Sequence, residues 1–234
     1  MRISAISFDG DMTLWDFKKV MRHALKKALA ELRRLVPTQG AEDLSVEEMI
    51  AIRNRVEEEE QGRTWNMEEL RLLAFERTLE RVGRPDHDIA VRLNELYLKH
   101  RFEDIELYRD VEPALDILAP HYKLGLLSNG NSYPERCGLE GRFAFVVFSQ
   151  DVQIRKPDRR IFEIAAQRAG CPMEELLHVG DSFENDVMGA HGVGAKTVWL
   201  NREGKEGHAE IKPDVEITSL ADLPGVLGLG QIGN

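Results

Sequence analysis

The sequence predicts an α/β fold, a Rossmann-like, doubly wound parallel sheet interrupted once near its start by an inserted α-helical bundle. Two patterns predict it. From about residue 106 onward, short apolar runs alternate with helical stretches, the texture of strands joined by crossover helices. Between residues 16 and 105 the pattern is helix with breaks, and one strand-like run, "RISAISFD", lies ahead of it. The predicted division is 1–15 and 106–234 for the core and 16–105 for the insertion.

In chain order, the first strand ends at Asp9 and Asp11, which an extended backbone points the same way. The first inserted helix, "DFKKVMRHALKKALAELRRLV", carries a stripe of Val20, Ala24, Leu25, Ala28, Leu29, Leu32 and Leu35. Pro37 and Gly40 are expected to stop it. A second helix is predicted from Ser45, with Glu48 completing a capping box. A third starts near Asn66, carries Leu70, Leu73, Ala74 and Leu79, and ends before Gly83. A fourth follows Pro85, with Ile89, Val91, Leu93 and Leu96 along it, making a four-helix bundle. After the insertion, "YKLGLLSNG", "FAFVVFS", "ELLHVGD" and "AKTVWLN" read as strands, and "PDRRIFEIAAQRAG" and "FENDVMGAH" as helices between them. The terminal "VLGLGQIGN" is expected to fray.

Composition narrows the function classes. The 234 residues are 42% apolar and 31% charged, as in an ordinary globular protein with room for a sizeable core. The apolar run "FAFVVF" is far shorter than the ~18 residues of a membrane span. A net charge of −10 lacks the basic footprint of nucleic-acid or anionic-membrane binding. Acids by position 9 leave no room for the apolar centre of a signal peptide, so a cytoplasmic location is expected. Cys137 and Cys171, without CxxC spacing or nearby histidines, read as reduced structural thiols.

In a doubly wound sheet, ligands bind beyond the carboxyl ends of the strands. Collected there are Asp9 and Asp11, then Ser128, Asn129 and Gly130, then Asp181 and Asp186, with Lys156 in the loop "RKPD". Two carboxylates ~4 Å apart repel by about 4 kcal/mol at an effective dielectric of 20, so their convergence calls for a proton or a cation. Oxygen ligands without cysteine or histidine favour Mg²⁺, which keeps waters and takes substrate phosphate into its shell. Asp9 is then placed to attack phosphorus, and Asp11 to protonate the leaving oxygen and later activate water. Ser128, Asn129 and Lys156 are the expected holders of the phosphoryl oxygens. A calcium loop counted from Asp9 fails, because Leu14 and Val20 stand where glycine and glutamate are required.

Taken in order, "DGDMT" (9–13), "LLSNG" (126–130), "RKPD" (155–158) and "GDSFEND" (180–186) resemble the four motifs of the haloacid dehalogenase superfamily of phosphohydrolases. The resemblance spans residue 3 to about 201, and the insertion after the first motif is similar to that superfamily's C1-type cap. It implies that Asp9 is a nucleophile forming an aspartyl-phosphate, and that Asp11 is the general acid/base with its carbonyl on the metal. It further implies a motif hydroxyl at Thr13, phosphate contacts at Ser128 and Asn129 with Gly130 beside them, a charge-neutralising Lys156, and metal-binding acids at Asp181 and Asp186. The family usually has glycine where Met12 stands, so the turn after Asp11 is expected to differ in shape.

The second acid, Asp11, points to the phosphatase branch, because the dehalogenases generally lack it. The expected activity is Mg²⁺-dependent hydrolysis of a small phosphorylated metabolite by a monomer or homodimer. A phosphomutase or phosphotransferase uses the same residues, a 2-haloacid dehalogenase is disfavoured by Asp11, and a receiver-type signalling module is about half this length. His178 is read as a strand residue held by local hydrogen bonds, and His23, His100 and His191 are given no ligand role. Trp15 and Phe17 are read as either packing or lining for a substrate entrance, and Trp65 as core, interface or substrate contact.

Overall fold

The computed structural model describes residues 2–60, 62–207 and 210–230. In chain order it forms β1 (Ala5–Phe8), α1 (Phe17–Leu35), α2 (Gln39–Asp43), α3 (Val46–Glu59), α4 (Met67–Arg81), α5 (His87–Glu103), α6 (Val111–Leu118), β2 (Lys123–Ser128), β3 (Phe145–Phe148), α7 (Ser149–Val152), α8 (Arg159–Ala169), β4 (Leu176–Gly180), α9 (Gly189–His191), β5 (Lys196–Leu200), β6 (Val215–Ile217) and α10 (Leu223–Val226). The chain divides into two compact units, one of residues 1–16 and 106–234, the other Phe17–Ile105.

The first unit is built on a six-stranded sheet in the order β3-β2-β1-β4-β5-β6, with every pairing parallel. The chain leaves β1 with β2 on one side and β4 on the other, which makes the carboxyl end of β1 the switch point of the sheet. Its central strands β1 and β4 are buried at every position, as strands covered on both faces are. Ile161, Phe162, Ala165, Ala166 and Ala169 of α8 pack with Leu127, Phe145, Val147 and Leu176 of the sheet. The strand β6 is absent from the sequence expectation, since three edge residues are too few to show a period.

The second unit is helical. In α1 the expected stripe is buried from Val20 to Leu32, joined by Met21, with Leu35 partly buried. The helix stops ahead of Pro37, but Gly40 does not act as a terminator. It lies inside α2, which Thr38 caps by accepting from the Ala41 N–H. A Cβ at Gly40 would stand 3.1 Å from the Val82 backbone, so close packing is what the glycine serves. Ser45 caps α3 through the Glu48 N–H, as expected, but the reciprocal arm goes elsewhere, because the Glu48 carboxylate pairs with Arg81 at 2.7 Å. Asn66 caps α4, and Gly83 takes the left-handed φ of +75° after it.

In α5 the buried positions are Ala90, Leu93, Tyr97 and Arg101. Of the four apolar residues read along it, Leu93 is fully buried and Ile89, Val91 and Leu96 are partly buried beside that stripe. The segment expected as the helix "FENDVMGAH" is helical throughout, wound as a π-type turn over Phe183–Met188 and continuing into the short α9. At the C-terminus, α10 orders part of the stretch expected to fray, and residues 231–234 of that stretch lie outside the described residues.

Candidate active site

The site is built on the first unit at the carboxyl ends of β1, β2 and β4. Asp9 follows β1 directly and is held in the sheet by its N–H to the Val179 carbonyl at 2.8 Å. Lys156 is buried beside it, and its ammonium is fully used by three acceptors. Nζ donates to Asp9 Oδ1 at 2.7 Å, to Asp186 Oδ1 at 2.7 Å and to the Leu127 carbonyl at 2.9 Å. One cation thus links two buried carboxylates.

Asp186 reaches this place from the π-type turn, and the backbone of β4 makes way for it. A Cβ on Gly180 would fall 2.2 Å from the Asp186 carboxyl, so glycine is the residue that fits. Asp186 also accepts from the Ser182 N–H at 2.9 Å and lies 3.1 Å from His178 Nε2. The other imidazole nitrogen, Nδ1, meets Ser7 Oγ at 2.8 Å, the partner that the β1–β4 register sets opposite His178. His178 is therefore a strand residue with two hydrogen bonds, as read from the sequence, but one of them orients an acid of the site.

Asp9, Asp181 and Asp186 present carboxylate oxygens that all lie within 4.8 Å of one another. Burial pushes the Asp9 carboxyl well up; the charge of Lys156 opposes this, while those of Asp186 and Asp181 add to it. For Asp186, burial alone would act upward, but the charge of Lys156 and the His178 hydrogen bond hold it well below the usual carboxylate range. Burial lowers His178, which stays neutral at pH 7. Lys156 among the three carboxylates, with Lys205 near Asp181, still leaves a surplus of negative charge in an oxygen-only donor set.

Asp11 stands apart from this trio. Trp15, fully buried, donates its indole N–H to Asp11 Oδ1 at 2.7 Å. On the other side, a Cβ on Gly130 would come 2.8 Å from Asp11 Oδ2, so the "SNG" turn passes close to this carboxylate. Met12 adopts φ +68°, the left-handed region, so the turn keeps a glycine-type backbone although a methionine fills the position. Thr13 is fully buried, and its hydroxyl has no hydrogen-bond partner among the described residues. Its carbonyl accepts from Arg202, which also forks onto Asp110 at 2.8 and 2.9 Å.

At the end of β2, Ser128 Oγ accepts from the Gly130 N–H at 3.0 Å. The Asn129 side chain is occupied at both ends by the backbone of Lys156, donating to its carbonyl at 3.0 Å and accepting from its N–H at 2.8 Å. Asn129 thereby anchors the loop that carries the lysine. Asp181 is half-buried, with its carbonyl accepting from Trp199 Nε1 at 3.0 Å and its carboxylate 3.9 Å from Lys205. Sequence reasoning missed the Trp15 hydrogen bond, the Arg202–Asp110 pair and Lys205. Trp15 is packing and a hydrogen-bond donor at once, while Phe17 packs within the helical unit beneath the Arg101 guanidinium.

Comparison with known proteins places this geometry. A family model described as haloacid dehalogenase-like hydrolase matches residues 3–194. The 5-amino-6-(5-phospho-D-ribitylamino)uracil phosphatase YigB of Escherichia coli is 28% identical over 97% of both chains. The glyceraldehyde 3-phosphate phosphatase of Methanopyrus kandleri is 30% identical over 96% of this chain and 97% of its own. Among solved structures, a 2-haloacid dehalogenase from Pseudomonas syringae pv. Tomato DC3000 aligns with a TM-score of 0.82 and 33% identity, covering 97% of this chain and 98% of that one. The chain belongs to the haloacid dehalogenase-like hydrolases.

Proposed function

We propose that the protein is a Mg²⁺-dependent phosphatase that hydrolyses a small phosphomonoester through a phosphorylated Asp9. The observation that carries this reading is the division of the acids: Asp9, Asp181 and Asp186 cluster, with Lys156 on two of them, while Asp11 is held aside by Trp15. A halide leaves carbon as a stable anion, whereas an alkoxide leaving phosphorus needs a proton, and Asp11 is the group in place to supply it.

The donor set fits Mg²⁺, since oxygen ligands of surplus negative charge suit a hard divalent ion. Asp9, Asp181 and Asp186, with the Asp11 carbonyl, would hold it. When bound, the ion supplies charge stabilisation to the phosphoryl oxygens. The remaining steps belong to the chain. Asp9 attacks phosphorus, the bond to the leaving oxygen breaks, and the Asp11 proton goes to that oxygen. Asp11 then takes a proton from water, whose oxygen attacks phosphorus and releases inorganic phosphate and the Asp9 carboxylate. General acid–base help of this kind is worth ~10²–10⁴-fold. Lys156 compensates charge on Asp9 and phosphate, and Ser128, Thr13 and the Asn129 backbone offer donors to the phosphoryl oxygens, with Gly130 beside them. The helical unit is assigned the selecting role of a C1-type cap.

A second reading, 2-haloacid dehalogenase, is favoured by the 33% identity to the Pseudomonas syringae protein. The test is phosphate release from a panel of phosphorylated metabolites with Mg²⁺, against an Asp9→Asn control, alongside halide release from 2-haloacids. Turnover of a phosphate ester that needs Asp9 and Mg²⁺ supports the phosphatase. Halide release without phosphate release overturns it.

A further inference from the structure

We infer that the helical unit carries a metal site of its own, for a borderline transition ion of the Zn²⁺ class, built from His23, His100 and Asp104. His23 lies in the second turn of α1. His100 and Asp104 are four residues apart at the C-terminal end of α5, a spacing that stacks two side chains on one helix face.

The donor atoms already converge. His23 Nε2 and His100 Nδ1 lie 3.2 and 2.8 Å from the same oxygen, Asp104 Oδ2, and the three ligand atoms are within 4.8 Å of one another. The two imidazoles meet edge to face, their centroids 5.9 Å apart. An ion with bonds of about 2.0–2.2 Å needs donors about 3.0–3.5 Å apart, so two of the three spacings are close to those of a coordination shell. Small side-chain rotations close the third. Each neutral imidazole presents a bare nitrogen to the ion by carrying its proton on the other ring nitrogen, so no proton need be lost. The donors stand on two helices packed in one apolar cluster, with Ala24 and Ala28 of α1 against a core that includes Leu93 and Tyr97 of α5.

The chemistry of the set selects the ion. Two imidazoles and one carboxylate suit Zn²⁺, Co²⁺ or Ni²⁺, whereas the oxygen-only cluster of Asp9, Asp181 and Asp186 suits Mg²⁺. His23 and Asp104 are exposed, so the ion enters from solvent and water completes its shell. His23 is near the start of the helical unit and Asp104 immediately precedes its last residue, Ile105. A bound ion thus ties the unit's first long helix to its last. This inference stands independently of the phosphatase reading.

The test uses the full chain, freed of metal with a chelator and held in excess Mg²⁺ so that the oxygen cluster is satisfied. Titration with Zn²⁺ by calorimetry, and with Co²⁺ by its visible absorption, is expected to show one equivalent that Mg²⁺ does not displace. His23→Ala and His100→Ala should each weaken that equivalent by ~100-fold, and Asp104→Asn by ~10-fold, taking as guide that even outer-shell changes cost ~10–100-fold. The thermal midpoint of the wild type should rise with Zn²⁺, and that of His23→Ala should not. His23→Gln is the second variant should His23→Ala fold poorly. Equal Zn²⁺ binding in wild type and the His23 and His100 variants overturns the inference. So does loss of the Mg²⁺-resistant equivalent in Asp181→Asn, which would put the ion at the oxygen cluster.

Discussion

Trp15 Nε1 donates to Asp11 Oδ1 at 2.7 Å, so a fully buried indole fixes the direction of a carboxylate that stands outside the cluster of the other three acids. If Asp11 is the proton donor to the leaving oxygen, loss of the indole N–H should be felt where that proton matters most. Trp15→Phe is expected to lower kcat/KM, which reads the steps through loss of the alcohol, about tenfold on alkyl phosphates, whose alkoxides leave poorly, and to leave that of p-nitrophenyl phosphate nearly unchanged. The variant should also lose about 1–2 kcal/mol of stability from the smaller ring. A kcat/KM loss equal on all esters would assign Trp15 to packing alone.

Lys156 holds Asp186, which is buried, and Asp9, whose side chain is 11% exposed. Removing one partner of a buried ion pair costs more than the pair itself contributes, because charge is left without compensation. Lys156→Met is expected to lower stability by about 3–5 kcal/mol in denaturant titration and activity by ~10²–10³-fold. Lys156→Arg should rescue little, since three convergent acceptors match an ammonium and not a planar guanidinium. Wild-type stability of the methionine variant would contradict this account.

The raised pKa of Asp9 has a consequence for stability against pH. Burial disfavours its charged form, so above the ordinary carboxylate range the unfolded chain ionises this group more readily than the folded one does. The folded state therefore loses stability as pH rises through that range toward the folded-state value. Asp186 is lowered and acts oppositely, its contribution present above the unfolded value and lost on acidification. In chelator at pH 7.5, Asp9→Asn should melt at a higher temperature than wild type. At pH 4 the gap should close, and added Mg²⁺ should stabilise wild type more than the variant. A wild type that melts above Asp9→Asn in chelator at pH 7.5 would refute the assignment.

Residues that share a strand end are legible in the sequence, and relations across the fold are not. Asp9, Asp11, Ser128 and Asp181 can be collected before any coordinates because a parallel sheet gathers the ends of its strands on one edge. The role of His178 depends on the register that puts it opposite Ser7, and the Arg202–Asp110 pair joins residues far apart in the chain. Asn129 illustrates the gap between motif and role, since its side chain is used by the Lys156 backbone. In α5 the apolar residues do not mark the buried face, which is formed by Ala90, Leu93, Tyr97 and Arg101, because polar and apolar residues are mixed around the helix.

Met12 offers a test of backbone strain beside the site. Its φ of +68° lies where a Cβ meets the following carbonyl, a conformation that costs a non-glycine residue roughly 1–2 kcal/mol. The turn is held in that shape from both sides, by the Met12 N–H to the Trp15 carbonyl at 2.8 Å and the Leu14 N–H to the Gly10 carbonyl at 2.8 Å. Comparing Met12→Ala with Met12→Gly removes the methionine side chain from both variants and isolates the Cβ. The glycine variant regains the strain but gains freedom in the unfolded chain, so the net advantage over alanine should be about 0.5–1 kcal/mol. Denaturant midpoints with unchanged m-values would measure it. An alanine variant as stable as the glycine variant would mean that the turn relaxes out of the left-handed region, and the position of Asp11, one residue earlier, should then shift and lower kcat with it.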